Sequence, residues 1–225
     1  MENILDKATQ WLTPTFDAAT QKEVNELIAD NSSDLLDRFY KDMEFGTGGM
    51  RGLMGAGTNR INKYTLGRAT QGLSNYLIQN VQKKKLSVVI AYDCRHNSKK
   101  FAKIVADVLS ANNISVFLFE DLRATPELSF AVRYLNCDAG IVLTASHNPP
   151  EYNGYKVYWS DGGQIVPPHD NGIIGKVNSL KFSEINFDAK EHLIKVIGKE
   201  VDNAFVKASV TNASLSDKID RKNLK

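Results

Sequence analysis

The middle of the chain alternates between strand-like apolar runs and apolar stripes at helical spacing. The apolar runs cover residues 86–92, 114–119 and 139–143, and the helical stripes between them cover residues 101–109 and 128–135. Apolar positions at i, i+3, i+4 and i+7 mark one face of a helix, whereas short continuous apolar runs are typical of strands buried on both faces. This alternation predicts parallel strands covered by helices on both sides. The expected fold class is α/β, a three-layer α/β/α arrangement with a mixed, partly parallel sheet.

The flanking segments add further elements to this prediction. Before residue 41 the apolar residues recur at helical spacing, with a break at residues 31–33 where a serine can cap the next helix. Residues 154–159 and 164–166 are strand-like and predict a hairpin with 161–163 as its turn, which would make the sheet mixed. The apolar residues between 193 and 205 predict one more helix, and the residues from 208 onwards are polar.

Composition excludes several functional classes. The 225 residues are 42% hydrophobic and 24% charged, with a net charge of +2, so we expect neither a nucleic-acid nor a membrane partner. No apolar run could span a bilayer and no signal peptide is recognisable. The two cysteines, Cys94 and Cys137, form no CxxC pair and fit a reducing compartment. A cytoplasmic location is the expectation.

A serine follows the last strand-like run of the alternating region. In α/β sheets, ligands bind beyond the carboxyl ends of the strands, and the segments 93–96, 120–126 and 146–147 should meet at that edge. Ser146 could be a nucleophile, a phosphate carrier or an ordinary loop serine. Neighbouring side chains on an extended segment point to opposite faces, so His147 is expected to be badly placed to deprotonate Ser146. The G-x-S-x-G elbow of hydrolases is also missing, and both points disfavour a serine hydrolase.

A glycine-rich stretch at residues 45–52 contains Arg51. Glycines let backbone N–H groups approach an anion and an arginine fork suits phosphate, but the ending of a P-loop is missing and such stretches are more often turns. Asp93 and Arg95 are expected to form a structural pair that holds their loop. Lys156 is expected to face solvent, with a functional role only if Ser146 has one. The histidines at 96, 169 and 192 have no predicted partner.

Four of these stretches occur together in the order typical of one family. They are 45–52 (FGTGGMRG), 92–95 (YDCR), 124–126 (ATP) and 144–156 (TASHNPPEYNGYK). On these motifs the chain resembles the α-D-phosphohexomutase superfamily, the phosphoglucomutases and phosphomannomutases, from about residue 39 to 205. Residues 154–159 and 162–165 look most like the long bacterial phosphoglucomutases and the related phosphopentomutases.

The resemblance implies a role for each candidate site residue. Ser146 would carry the phosphoryl group as phosphoserine, donate it to a sugar monophosphate, and recover a phosphate from the resulting bisphosphorylated sugar. Arg51 and Lys156 would stabilise charge on the transferring group, and His147 would orient the sugar or assist proton transfer. A magnesium ion would bind a phosphate oxygen on Ser146 together with aspartates that this chain lacks. A glucose 1,6-bisphosphate-type activator is also implied.

The resemblance also implies a domain organisation. Residues 1–205 would be domain I of the family, with N-terminal helices, and residues 206–225 a linker toward a missing domain II. The family's metal-binding, sugar-recognition and phosphate-binding loops are not found in this sequence, so domains II–IV would be partners and the chain alone is expected not to complete the reaction. The alternative is a non-catalytic module that binds a sugar phosphate. Which sugar phosphate is used is left open.

Overall fold

A computed structural model describes residues 2–30, 33–46 and 48–213. The elements in chain order are α1 (Glu2–Thr9), a 3₁₀ turn (Gln10–Leu12), α2 (Ala18–Ala29), α3 (Ser33–Phe39), β1 (Gly49–Leu53), α4 (Lys63–Asn80), β2 (Ser87–Tyr92), α5 (Ser98–Ala111), β3 (Ser115–Phe119), α6 (Thr125–Tyr134), β4 (Ala139–Leu143), β5 (Tyr152–Trp159), α7 (His169–Ser179), two 3₁₀ turns (Phe182–Glu184 and Glu191–Leu193), β6 (Ile194–Ile197) and α8 (Lys199–Asn212).

One mixed sheet organises the described part of the chain, with strand order β1-β5-β4-β2-β3-β6. The pairs β2–β3, β2–β4 and β3–β6 are parallel, whereas β5 runs antiparallel to both β1 and β4. Alternate residues of β2 enter different cores: Ile90 packs in the cluster that holds α4, α5 and α7, and Val89 in the cluster that holds α6 and α8. The predicted three-layer α/β/α fold with a mixed, partly parallel sheet is confirmed.

The N-terminal helices form a separate apolar cluster against the start of α4. Trp11 is nearly fully buried and lies at the centre of an aromatic group with Phe16, Phe39 and Tyr64. The helices predicted before residue 41 are therefore present. The predicted cap at residues 31–33 falls partly outside the described residues, since α3 is described from Ser33 onwards.

Two predictions of secondary structure were wrong. Residues 164–166 do not form the second strand of a hairpin, because only one isolated bridge joins Gln164 to Tyr158; the antiparallel part of the sheet comes instead from β5 and from β1, which was not predicted. The single helix expected over 193–205 is β6 followed by α8, because residues 194–197 pair with the open edge of β3 and Gly198 separates the two elements.

The predicted domain boundary at residue 205 lies inside α8, which continues to Asn212. Residues 214–225 of the predicted linker lie outside the described residues, so the division into domain and linker remains a prediction. No helix in the described ranges is long and apolar enough to cross a membrane.

Candidate functional site

The loops that follow β2, β3 and β4 meet at the carboxyl edge of the sheet, as the alternation predicts. The backbone N–H of Asp93 donates to the carbonyl of Leu143 at the end of β4 (3.1 Å). The backbone N–H of Arg123 donates to the carbonyl of Tyr92 at the end of β2 (3.1 Å). Three segments that are distant in sequence therefore form one edge.

Ser146 lies exposed at this edge in an unusual backbone conformation. Its φ is 58°, in the left-handed region that residues with a Cβ seldom adopt. Its N–H donates to Oγ1 of Thr144 (2.9 Å), and the N–H of Asn148 donates to the carbonyl of Ala145 (3.2 Å). The chain therefore turns sharply at Ser146 and presents the hydroxyl to solvent.

The expected separation of Ser146 from His147 was wrong. Ser146 Oγ lies 3.4 Å from Nδ1 of His147, because the segment is not extended at Ser146 and its left-handed turn brings the two side chains to the same side. This distance is longer than a productive general-base hydrogen bond of about 2.6–3.2 Å, although such contacts tighten when substrate binds. His147 is therefore within reach of a proton on or near Ser146, and the geometric part of the case against a hydrolase no longer holds.

Arg95 contacts the serine loop directly, a role that the sequence reasoning missed. Its guanidinium donates to the backbone carbonyls of Ser146 (2.6 Å), Asn148 (2.5 Å), Pro149 (2.8 Å) and Tyr152 (3.1 Å). The expected pair with Asp93 exists, at 3.5 Å between Nε and Oδ2, but it is the longest of these contacts. The sequence offered one indication of this contact: the loop with Arg95 and the loop with Ser146 both follow strands that end at the same edge of the sheet.

The two candidate cations lie on one face of the sheet. Arg51 of β1 stands opposite Gly154 of β5, and directly opposite residues of an antiparallel pair point to the same face. Lys156 is two residues beyond Gly154 and shares that face, which is the α6 side. Arg51 is exposed and donates to Oδ1 of Asn148 in the serine loop (2.8 Å).

Neither cation is neutralised by a carboxylate that the structure describes. Arg51 has only its bond to Asn148, and Lys156, which is partly buried, has neither a hydrogen bond nor an ion pair within residues 2–30, 33–46 and 48–213. This face of the sheet therefore carries positive charge, and Arg51 places part of that charge at the serine loop.

The glycines around Arg51 serve strand packing. Gly49 has a φ of 127°, and a Cβ there would overlap the carbonyl oxygen of Tyr155. A Cβ on Gly154 would lie 2.5 Å from the carbonyl oxygen of Thr144 and 2.8 Å from that of Met50. Glycine at 49 and 154 thus lets β1, β5 and the start of the serine loop approach closely, which brings Arg51 within reach of Asn148.

A magnesium site cannot be assembled from the described residues. They contain no group of three or more His, Cys, Asp or Glu side chains that could hold a metal ion. The carboxylate of Asp93, which follows β2 at the same edge, already accepts from the hydroxyl of Ser98 (2.9 Å) and the backbone of Arg95 (3.0 Å). A magnesium ion bound to a phosphate on Ser146 would therefore need ligands from outside the described residues.

A second charged cluster lies beside the site, where the loop after β3 meets α6 and α8. Arg123 binds both carboxylate oxygens of Asp202 (2.7 and 2.8 Å), and these bonds lower the pKa of Asp202. Burial and a hydrogen bond with Asp202 raise the pKa of Glu127 to about 7. This cluster attaches α8 to the edge of the sheet without contacting Ser146.

The remaining histidines and cysteines lie outside the candidate chemistry. His169 stacks on Trp159 and its Nδ1 lies 2.9 Å from the hydroxyl of Tyr76, a partner that was not predicted. Cys94 is exposed and Cys137 is buried, and both are free thiols.

The described residues form a three-layer α/β/α domain with an exposed serine loop, an arginine bound to that loop, and a lysine on the same face of the sheet as the arginine. Residues 42–184 match the family model described as phosphoglucomutase/phosphomannomutase, alpha/beta/alpha domain I. The chain therefore belongs to the α-D-phosphohexomutase superfamily and contains its N-terminal domain.

Individual relatives agree with this assignment. A phosphoglucomutase of Staphylococcus haemolyticus is 43% identical over 158 residues, which cover 70% of this chain and 28% of that protein. A phosphopentomutase of Mus musculus is 42% identical over 182 residues, covering 77% of this chain and 29% of that protein. A solved structure from Thermus thermophilus, assigned as a phosphomannomutase, superposes with a TM-score of 0.63 at 26% identity, covering 77% of this chain and 37% of that one. The chain thus spans less than a third of the length of these two curated relatives.

Proposed function

We propose that Ser146 is the phosphoryl carrier of a sugar-phosphate mutase and that this chain supplies the phosphoserine domain. The observation that carries the proposal is the position of Ser146, which is exposed on a sharp turn in the loop that Arg51 binds through Asn148. Lys156 lies on the same face of the sheet as Arg51, and neither cation has a carboxylate partner among the described residues. A phosphoserine dianion at this position would be stabilised by positive charge on the adjacent face of the sheet. Because phosphoryl transfer depends mainly on positioning and charge stabilisation, this arrangement suits it.

The proposed reaction has two matched transfers. A hydroxyl oxygen of the sugar monophosphate attacks the phosphorus on Ser146, the bond between phosphorus and Ser146 Oγ breaks, and His147 passes the hydroxyl proton to the departing Oγ. In the second transfer Ser146 Oγ gives that proton back to His147 and attacks the other phosphate of the bisphosphorylated sugar, and the released sugar oxygen takes up the proton. Arg51 and Lys156 stabilise the charge that spreads over the equatorial oxygens during each transfer.

The identity of the complete enzyme is part of the proposal. The relatives are named phosphoglucomutase and phosphopentomutase and are more than three times longer than the part they share with this chain. We therefore propose that the complete enzyme is an intramolecular phosphotransferase. It would interconvert a sugar 1-phosphate and 6-phosphate, or the pentose equivalent, and its further domains would close the site. Magnesium ligands other than the phosphoserine would come from those domains, and a cytoplasmic location remains a prediction.

The carrier role can be tested on the chain alone. After incubation with glucose 1,6-bisphosphate, intact-mass and peptide mass spectrometry should find one phosphoryl group on Ser146. The Ser146→Ala variant should take up none, whereas Ser160→Ala, which changes another exposed serine, should behave as wild type. Phosphate on other residues but not on Ser146 would contradict the proposal.

A coupled mutase assay tests whether this chain can complete the reaction without further domains. We expect no turnover of glucose 1-phosphate by the 225-residue chain, because the other walls of the cleft would lie in further domains. Robust turnover would contradict that part of the proposal. Binding of sugar phosphate without any phosphoserine would instead support the non-catalytic module.

The contact between Ser146 and His147 requires a direct test for hydrolase chemistry. A fluorophosphonate probe labels serines that a neighbouring base activates. We expect no labelling of Ser146, since the nucleophile elbow of hydrolases is missing. Stoichiometric labelling would favour a hydrolase over a phosphate carrier.

A further inference from the structure

The two peptide groups that flank Ser146 are each bound by a side chain. On the N-terminal side, the Ser146 N–H donates to Oγ1 of Thr144 (2.9 Å). On the C-terminal side, the Ser146 carbonyl accepts from Nη2 of Arg95 (2.6 Å). Since φ and ψ of a residue are set by the planes of its two flanking peptides, Thr144 and Arg95 together determine the backbone conformation of Ser146.

That conformation needs external support. At a φ of 58° the Cβ of Ser146 crowds the backbone, a cost that glycine does not have. A left-handed residue other than glycine persists only where its surroundings hold it, and such residues concentrate at functional sites. The direction of the Ser146 hydroxyl follows from this held conformation, because Cβ is fixed once the backbone is fixed.

Arg95 is suited to this role by its shape. One planar guanidinium reaches four carbonyl oxygens between residues 146 and 152, and it therefore closes the serine loop around itself. A lysine ammonium has three donors on a flexible stem and cannot reproduce this fork. The Arg95 side chain is 11% exposed, and neither it nor the residues it binds belong to the apolar core clusters.

Arg95 is itself held in place by the start of α5. Its backbone N–H donates to Oδ1 of Asp93 (3.0 Å), and the same oxygen accepts from the hydroxyl of Ser98 (2.9 Å). Asn153 at the start of β5 donates to that hydroxyl (2.9 Å) and to the carbonyl of His96 (3.0 Å). The backbone at Arg95 is thus anchored to α5 and β5, while the guanidinium holds an exposed loop.

We propose that Arg95, with Thr144, is a positioning residue for Ser146: the pair holds the left-handed turn that directs the Ser146 hydroxyl into the cleft. The inference rests on the proposed function of Ser146 only for its consequence, which is faster phosphoryl transfer. Arg95 is not expected to touch the phosphate, since both of its terminal nitrogens bind loop carbonyls and its Nε is buried, 3.5 Å from Oδ2 of Asp93.

The variant Arg95→Lys tests the proposal, with Arg133→Lys as the matched control. Arg133 is exposed and donates only one long bond, to the carbonyl of Ser129 (3.5 Å), among the described residues. In Arg95→Lys we expect the amide hydrogens of Ser146 and Asn148 to exchange roughly 10-fold faster or more, measured by NMR, while core amides of β2 and β4 are unchanged. Unchanged exchange at Ser146 and Asn148 would overturn the proposal.

A second pair of variants keeps the test decisive if Arg95→Lys does not fold. Thr144→Val keeps the branched shape but removes the oxygen that accepts from Ser146, whereas Thr144→Ser retains it. Faster exchange of the Ser146 amide in Thr144→Val and wild-type exchange in Thr144→Ser are expected. Equal exchange in both variants would overturn the role of Thr144.

Phosphate uptake separates positioning from simple loop stability. With glucose 1,6-bisphosphate as donor, Arg95→Lys and Thr144→Val should phosphorylate Ser146 at least about 10-fold more slowly than Arg133→Lys and Thr144→Ser. Faster amide exchange with unchanged uptake would leave only a structural role and would overturn the positioning role. If wild type takes up no phosphate, the proposal that this chain alone can be phosphorylated at Ser146 fails, and amide exchange still decides whether Arg95 and Thr144 hold the turn.

Discussion

At the scale of single residues, the chemistry assigned to Ser146 depends on its neighbours more than on the serine itself. An unassisted alcohol is a weak nucleophile, and the neighbouring His147 is only loosely in contact. Charge is expected to be the stronger effect, because two unit charges about 4 Å apart near a protein surface interact by on the order of 4 kcal/mol, more than a neutral hydrogen bond. Arg51 and Lys156 are therefore the residues on which the transfer rate should depend most.

The first prediction concerns Lys156, whose ammonium has no partner among the described residues. Replacing it in Lys156→Gln should slow phosphorylation of Ser146 by about 10²–10³-fold, the usual effect of losing one group that stabilises transition-state charge. Initial rates of phosphate uptake from glucose 1,6-bisphosphate, followed by mass spectrometry, measure this. Lys207→Gln on the exposed face of α8 is the control and should be unaffected. A wild-type rate in Lys156→Gln would remove this residue from the mechanism.

At the scale of elements, the strand β1 illustrates how backbone geometry positions the candidate residue Arg51. Glycine-rich segments seldom form strands, because glycine loses more conformational freedom than other residues and contributes no packing. Here Gly49 allows the close approach of β5, and the pairing that results places Arg51 opposite Gly154. The glycines are therefore required by the sheet, and their effect on the site is indirect.

The second prediction follows from the backbone at Gly49. Alanine there would adopt a φ of 127° and its Cβ would overlap the Tyr155 carbonyl, so Gly49→Ala should lower the free energy of unfolding by at least about 2 kcal/mol. The matched control is Gly175→Ala within α7, where a Cβ would meet nothing within 4 Å. That change should raise stability by about 0.5–1 kcal/mol. Urea denaturation of both variants measures the difference, and equal stabilities would contradict the strand geometry.

At the scale of the whole molecule, the cluster of Arg123, Glu127 and Asp202 joins the last helix to the sheet. Arg123 belongs to the loop after β3, Glu127 to α6 and Asp202 to α8. Glu127 is 8% exposed, and its pKa is raised to about 7 from the ordinary 4.5 by burial and by its hydrogen bond with Asp202. Below about pH 7 the folded protein therefore holds Glu127 mainly in its protonated form.

The third prediction is the pH dependence that this raised pKa causes. Between about pH 4.5 and 7 the unfolded chain has released the Glu127 proton while the folded chain retains it, so the contribution of Glu127 to stability falls as pH rises and levels off above 7. Glu127→Gln mimics the protonated form and should remove this slope. At pH 8 the variant should exceed wild type by about 1–3 kcal/mol.

Urea denaturation between pH 5 and 8 measures this pH dependence. Glu200→Gln, which changes an exposed glutamate at the start of α8, is the control and should keep the wild-type slope. An unchanged slope in Glu127→Gln would mean that another group is responsible for the pH dependence.

The parts of the fold that could be predicted are those whose pattern is local. The strands β2, β3 and β4 and the helices between them follow from apolar periodicity, because a strand buried on both faces and an amphipathic helix each leave a repeating pattern in a short window. The strands β1 and β6 could not be predicted in this way. β1 is rich in glycine and β6 has only four residues, so both form because a neighbouring strand offers an open edge.

The amino-acid sequence by itself determined the α/β class and the common edge of the strand-end loops, and its motifs predicted Ser146 as the candidate site residue. Only the tertiary structure decided how Ser146 is presented. The structure shows a left-handed turn at Ser146, a contact with His147 and four bonds from Arg95. Arg95 lies 51 to 57 residues away in sequence from the carbonyls that it binds. Hydrogen bonds between distant segments leave no periodic trace in the sequence, since they depend on where folding has placed both partners.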